Sequence, residues 1–282
     1  IPTRKKNMPL KIAIIGAGAA GLMCAIEAGK NGHDVHLFDH AKKIGEKIRI
    51  SGGGRCNFTN KHCTHENFIS NNKHFCKSPL SRYPASNFIS MVERHKIPYH
   101  EKHPEKNTGQ LFCNGRSQEI IDMLRTKCKK ENVRITLETA IDSITKNENN
   151  FTLKYNGKNR PYDRVIIATG GPSIPKMGAS DFGYRIARQF GHNIIPTQAA
   201  LVPLTFTDDL LNLTKSLSGV SIDSVLIRSK TNQFTDDLLF THRGLSGPVI
   251  LQISSYWNAG EELTINLLPG IDLFNELKKA KI

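Results

Sequence analysis

Residues 10–39 restrict the fold of this chain more than any other stretch. Leu10 to Ile15, LKIAII, is short, branched and apolar, the pattern of a buried strand. Gly16-Ala17-Gly18-Ala19-Ala20-Gly21 follows and fits G-x-G-x-x-G. The next residues, AAGLMCAIEAGKNG, place Leu22, Ala25, Ile26 and Ala28 on one helical side and stop at Asn31-Gly32. Residues 34–39, DVHLFD, make a second strand that closes on Asp39. In such a unit Gly16 makes the tight turn, Gly18 lets the backbone approach a pyrophosphate, and Gly21 brings helix close to strand. The helix N-terminus offers free N–H groups and a positive dipole end to the phosphates. Asp39, 18 residues beyond Gly21, is placed to accept both hydroxyls of an adenosine ribose. The segment predicts an α/β fold, a Rossmann-like doubly wound sheet that binds a dinucleotide. The unit alone leaves flavin and nicotinamide dinucleotides both open.

Two later segments carry related signals. Residues 47–60 read KIRISGGGRCNFTN. Three glycines give a backbone that a ligand can approach, and Arg55 adds a fork of donors for phosphate or carboxylate. Asn57 and Thr59 supply further polar groups. A ligand contact is favoured over a plain glycine-rich loop because the segment closely follows the ribose-binding strand. Val165 to Thr169 reads as a buried parallel strand that ends in Thr169-Gly170-Gly171. Its C-terminal edge is where doubly wound sheets bind ligands.

ISGGGRCNFTN, downstream of a dinucleotide fold, resembles a bacterial family of FAD-dependent oxidoreductases. That family includes bile-acid dehydro-steroid reductases and aminoacetone-oxidase-like flavoproteins. Further matching blocks follow in order: GQLFCNGRSQEIIDML at 109–124, VIIATGGPSIPKMG at 165–178, GYRIARQFGH at 183–192 and LFTHRGLSGPVIL at 239–251. Cys113 stands where the family usually has Pro, and GASDFG departs from its usual glycine and acid. The resemblance implies FAD as cofactor, with NAD(P)H as a transient co-substrate. It implies cofactor contacts at Gly16, Gly18, Ala19, Ala20, Gly21, Asp39, His40, Lys47, Ser51, Gly52, Gly53, Arg55, Cys56, Asn57, Thr169, Gly170 and Gly171. It also implies backbone contact from Ala140 and Ile141, after a strand at Val133 to Ile141, to the adenine end. The family's C-terminal flavin segment does not occur before Ile282, so the sequence reads as a truncated flavoprotein.

Domain organisation follows from these blocks. Residues 1–195 are expected to form the FAD-binding domain. Residues 196–282 are expected to form a β-rich substrate or cap domain with strands in ALVPLTF, VSIDSVLIRS and ELTINLLP. Residues 61–108 read as a surface excursion with one helix near Ala85 to His95. Arg116 to Lys130 reads as a helix. Thirty-nine Lys and Arg against 25 Asp and Glu give a net charge of +14, which suits an anionic partner without choosing one. The runs Lys127-Cys128-Lys129-Lys130 and Lys278-Lys279 read as solvated surface. Six irregularly spaced cysteines argue for a reducing compartment, hence the cytoplasm, and against a disulfide framework. Thr3-Arg4-Lys5-Lys6 precedes an apolar stretch that is too short and too rich in glycine to be a membrane span.

Other constellations have plainer readings. Cys63-x-His65 and His74-x-Cys76 have an uncommon spacing for zinc, and a solvated loop is preferred, with no metal expected. Cys56, beside Arg55, is a weak candidate for a reactive thiolate, and packing under the cofactor is favoured. His242 and Arg243 are weak candidates for a proton donor and an anion-binding group. Ser246 lacks the G-x-S-x-G frame of a hydrolase. The motifs and the resemblance together point to a FAD-dependent oxidoreductase acting on a small organic substrate; the resemblance is compatible with a conjugated carbonyl compound reduced with NAD(P)H or with a small amine oxidised by oxygen, and the sequence does not choose. A flavin-free NAD dehydrogenase, an inactive fragment and a flavoprotein of tRNA modification are the alternatives. The last ranks third because the cations are scattered and no RNA-binding motif is present.

Overall fold

The computed structural model describes residues 8–280; the basic stretch at Thr3 to Lys6 lies outside them. The chain divides into two compact units, Ile1–Ile194 and Ile195–Ile282. The first unit runs β1 (Lys11–Ile15), α1 (Ala19–Lys30), β2 (Asp34–Phe38), α2 (Glu46–Ile50), β3 (Asn57–Asn60), α3 (Lys77–Arg82) and α4 (Ala85–Arg94). It continues with β4 (Tyr99–Glu101), β5 (Gln110–Cys113), α5 (Gln118–Lys130) and β6 (Arg134–Thr136). Three further strands, β7 (Ser143–Lys146), β8 (Phe151–Tyr155) and β9 (Lys158–Tyr162), precede β10 (Arg164–Ile167) and α6 (Phe182–Gln189).

Strands β10, β1, β2 and β6 lie side by side in that order, all parallel. This is the Rossmann-like sheet that the glycine motif predicts. Side chains alternate between its faces with the two-residue period of a strand. Ile12, Ile14, Val35 and Leu37 pack with Leu22, Ala25 and Ile26 of α1 and with Ile120, Ile121 and Leu124 of α5. Ala13, Ile15 and Phe38 face the other way, onto Ile141, Ile144, Leu153, Tyr162 and Ile186. Both faces are therefore covered, as a parallel sheet requires. Each fully buried Leu, Ile or Phe among them contributes roughly 1.5–3 kcal/mol.

The second face is covered by an antiparallel meander, β7-β8-β9, which the sequence reading does not anticipate. The expected excursion at 61–108 is also more ordered than predicted. It contains α3 as well as α4, and β4 joins β3 and β5 in a small antiparallel sheet of order β3-β5-β4. The strand expected at 133–141 is confined to Arg134–Thr136, since Glu138 takes a left-handed φ of 51° and ends the extended run. The 127–130 run is not wholly solvated: Cys128 is buried. The Lys127 ammonium is held below its usual pKa by burial and by Lys30, Arg94 and Lys130.

In the second unit, β11 (Leu204–Thr205), α7 (Asp208–Lys215), β12 (Ser221–Arg228), β13 (Gln233–Thr241), β14 (Gly244–Ser246), α8 (Pro248–Ser254), β15 (Thr264–Asn266) and α9 (Leu273–Ala280) follow in order. The strands form one antiparallel sheet, β11-β14-β13-β12-β15. Val225, Ile227 and Leu238 of the sheet pack against Val249, Ile250 and Ile253 of α8. A register shift between Ile222 and Val225, with Ser224 at φ 55°, breaks the expected simple alternation.

Candidate dinucleotide site

In the first unit a crevice of about 640 Å³ opens at the C-terminal ends of β1, β2 and β10. Its volume is within the roughly 300–1,000 Å³ usual for small-molecule sites. The glycine turn forms its floor. Gly16 donates its N–H to the Phe38 carbonyl (2.7 Å), and Gly45 donates to the Ala17 carbonyl (2.9 Å). The turn is thereby tied to both β2 and the start of α2.

The three motif glycines are glycine for different reasons. Gly16 has φ 108°, and a Cβ there would collide with the Ala168 carbonyl. A Cβ on Gly21 would collide with the Gly16 carbonyl oxygen. Packing within the chain accounts for both. Gly18 is different: φ is −81° and ψ −170°, which any residue adopts, and a Cβ would meet nothing within 4 Å. Gly18 lines the crevice and caps α1 without a side-chain hydrogen bond, and no acidic residue occupies the first turn of that helix. The chain itself gives no reason for glycine here. A backbone cradle that a Cβ would fill, at a helix N-terminus with free N–H donors, fits a pyrophosphate.

Asp39 follows β2 directly and lines the same crevice. Its carboxylate accepts from the Ala17 amide (2.6 Å) and, through the other oxygen, from the Ala41 amide (2.8 Å). It therefore holds the glycine turn as well as facing the ribose position, a structural duty that sequence spacing does not reveal. Each carboxylate oxygen has a second lone pair for a ribose hydroxyl. Lys47, on α2, reaches across to the Gly171 carbonyl (3.1 Å) and Ser173 hydroxyl (2.8 Å). This ties α2 to the loop after β10, so that both walls of the crevice are fixed.

Of the residues expected at the cofactor, Gly16, Gly18, Ala19, Ala20, Asp39, His40, Lys47, Ser51, Cys56, Asn57, Thr169 and Gly170 line the crevice. Gly21 lies beneath the turn. Gly52, Gly53 and Gly171 are outside the lining, and Arg55 is exposed beside it. Ala140 is exposed, and Ile141 is in the core under the meander. The structure brings neither to the crevice, because the chain leaves the sheet after Thr136. His242 and Arg243 are exposed between β13 and β14 of the second unit. The apolar part of the crevice comes from Met23, Phe58, Phe88, Ile120 and Leu124, and Met177 to Ala179 contribute another stretch. Phe58 and Met177 fall inside the motifs at 47–60 and 165–178, and Ile120 and Leu124 are apolar positions of the 116–130 helix; no sequence signal assigns any of them to the site.

The cysteine chemistry argues against a nucleophile here. Cys56 is buried at the crevice, and burial pushes its thiol pKa up, against a smaller opposing effect of a Ser51 hydrogen bond. Cys113, whose N–H donates to the Arg55 carbonyl (3.0 Å), is raised to about 12 by burial, then by Cys56 and Glu119. In the 61–76 loop the Cys76 thiol donates to the His65 carbonyl (3.6 Å). Among the described residues no group of three or more His, Cys, Asp or Glu converges for a metal. Nor is any helix among them long and apolar enough to cross a membrane.

The family description of the HI0933-like protein Rossmann domain matches residues 10–244. The chain belongs to this HI0933-like family. A relative from Escherichia coli (strain K12), Ribosomal RNA dihydrouridine synthase, is 50% identical over 95% of this chain and 66% of that protein. A protein of the same name from Haemophilus influenzae (strain ATCC 51907 / DSM 11121 / KW20 / Rd) is 44% identical over 95% of this chain and 67% of its own length. The 3-dehydro-bile acid delta(4,6)-reductase of Clostridium scindens (strain ATCC 35704 / DSM 5676 / VPI 13733 / 19) is 24% identical over 96% of this chain and 66% of that protein. The chain thus spans about two thirds of the length of these HI0933-like relatives.

Proposed function

We propose that this HI0933-like chain is part of a FAD-dependent reductase of carbon–carbon double bonds conjugated to a carbonyl, and that its substrate is uridine in ribosomal RNA. The observation that carries the reading is the pair of relatives, 50% and 44% identical over 95% of the chain, that share the name ribosomal RNA dihydrouridine synthase. The bile-acid reductase relative is compatible with the same reaction class, since the uracil C5=C6 bond is conjugated to the C4 carbonyl just as a dienone double bond is to its ketone. The reaction adds hydride at C6 and a proton at C5, giving dihydrouridine, while NAD(P)H is oxidised to NAD(P)⁺. Bound FAD supplies the hydride-carrying ring between the two half-reactions.

The chain's own residues would hold and enclose that cofactor. The 16–21 turn and the α1 N-terminus bind the pyrophosphate, and Asp39 accepts from the ribose. Lys47 keeps the loop after β10 in place. Met23, Phe58, Phe88, Ile120 and Leu124 exclude water from the apolar part of the crevice. The net charge of +14 is compatible with an RNA partner, as with any polyanion. The names of these two relatives support an RNA-modifying reading, of which the sequence itself offers only the tRNA form as an alternative.

The test uses the chain reconstituted with FAD, given NADPH or NADH and ribosomal RNA lacking dihydrouridine. Nucleosides from digested RNA are analysed by mass spectrometry. Uridine converted to a product heavier by one H₂, with matching NAD(P)H consumption, supports the proposal. NAD(P)H consumption with a steroid dienone and none with RNA would reverse the substrate assignment and return the small-molecule reading.

A further inference from the structure

A second cavity, of about 470 Å³, is lined by residues of the 42–49 segment, of α5 and of the stretch around β6, and shares no lining residue with the dinucleotide crevice. Four cationic side chains line it: Lys42, Lys43, Arg49 and Arg125. No acidic residue does. Arg125 is paired with Asp122 on its own helix (2.8 Å). The other three cations have no carboxylate partner among the described residues. Arg49 donates only to neutral acceptors, the Gln118 amide oxygen and the Ile44 carbonyl, and its Nε is buried without any partner. Ile121, Ile135 and Leu137 give the same cavity an apolar floor.

Cations above an apolar floor match one nucleotide: an oxyanion on the lysines and arginine, and a ribose or base face on the aliphatic side chains. We infer that this cavity is an RNA subsite that takes a nucleotide of the single-stranded segment flanking the target uridine, with its phosphate on Lys42, Lys43 and Arg49. The inference rests on the RNA reading above and extends it to a surface outside the cofactor crevice. It is specific in one respect: Lys42 and Lys43 line this cavity and not the crevice, so RNA and FAD binding are separable.

The experiment compares the chain with its Lys42→Ala/Lys43→Ala and Lys42→Arg/Lys43→Arg variants. Fluorescence anisotropy with a labelled single-stranded RNA is measured across a salt series, and FAD and NADPH affinities are measured in parallel. Both lysines are exposed, so removing them should leave the fold intact. Losing two phosphate contacts should lower the slope of log K against log[salt] by about 1.4 and weaken binding roughly 10- to 30-fold near ~0.1 M salt. FAD affinity should be unchanged, and the arginine variant should restore the slope. Unchanged RNA affinity and slope in the alanine variant, with wild type binding RNA, would overturn the subsite and leave the function standing. No RNA binding by wild type would remove both. Unchanged RNA binding with lost NADPH affinity would also overturn it, and would assign the cations to the nicotinamide dinucleotide.

Discussion

Gly18 permits the sharpest separation of cofactor binding from folding. A Gly18→Ala change adds a Cβ that meets no protein atom within 4 Å, on a backbone at φ −81°. Two small effects oppose each other in the apo protein. Alanine is a poorer N-cap than glycine, by up to about 1 kcal/mol. It also lowers the entropy of the unfolded chain, which stabilises by about 0.4–1 kcal/mol. The net change should lie within about 1 kcal/mol, and the Tm should move by no more than about 4 °C. The cofactor feels the substitution differently. The added methyl occupies the space through which a pyrophosphate reaches the amides at the start of α1. Charge-assisted hydrogen bonds contribute about 1.5–3 kcal/mol each, so lengthening two of them should weaken FAD roughly 10²- to 10⁴-fold, and Gly18→Val should weaken it further. Differential scanning fluorimetry of the apo chain and a flavin fluorescence titration read the two quantities. An unchanged FAD dissociation constant in Gly18→Val would refute the cradle, and so would a large Tm loss in Gly18→Ala. Gly21→Ala is the counterpart: its Cβ collides with the Gly16 carbonyl, so the apo protein itself should lose at least about 2 kcal/mol.

Other expectations follow from named contacts. Asp39→Ala removes the acceptor of the Ala17 and Ala41 amides, so it should lower apo stability by about 2–4 kcal/mol as well as weaken FAD; chemical denaturation of the apo chain that shows no loss would contradict this. His36 is buried between the Tyr162 hydroxyl (3.0 Å) and Thr136 hydroxyl (2.7 Å). Burial, then Arg134, brings its pKa from the usual 6.5 down to about 4. The unfolded chain therefore binds the extra proton first, and stability should fall as pH drops from 6.5 towards 4, by at most about 3 kcal/mol. A His36→Gln variant with the same pH dependence of urea midpoint would sink that assignment. Cys113, with its thiol at about 12, should resist alkylation at neutral pH until the chain unfolds; mass-mapped labelling of Cys113 in the native protein, as fast as in urea, would contradict this.

The sequence discloses the features that local chemistry dictates. The β1–α1–β2 unit is readable because its turn admits only glycine at two positions and because both strands are apolar. The strand at 164–167 is readable for the same reason. The meander at 143–162 is not, since each of its strands contributes a single buried residue: Ile144, Leu153 and Tyr162. One buried side chain per strand leaves no alternation to detect. β13 is hidden by Asp236 and Asp237 at its centre. In the small β3-β5-β4 sheet, β3 pairs with β5 about fifty residues away, a pairing that no local pattern encodes. In the site, the glycines and Asp39 announce themselves, whereas Phe88, Ile120 and Leu124 look like ordinary core. The second role of Asp39, as an anchor for the turn, depends on the Ala17 amide pointing at it. The Lys42–Arg49 cavity is invisible in sequence because its cations come from the loop after β2, from α2 and from α5.

The central claim is that a dinucleotide pyrophosphate sits on the main chain where β1 gives way to α1. Amide chemical shifts of the ¹⁵N-labelled chain during titration with ADP, which carries the ribose and pyrophosphate without the flavin ring, test it most directly. The account predicts saturable shifts centred on the Gly18, Ala19, Ala20 and Gly21 amides, with Ala41 following through Asp39. A folded chain whose 18–21 amides stay fixed at saturating ADP, or that binds ADP through other residues, would contradict it.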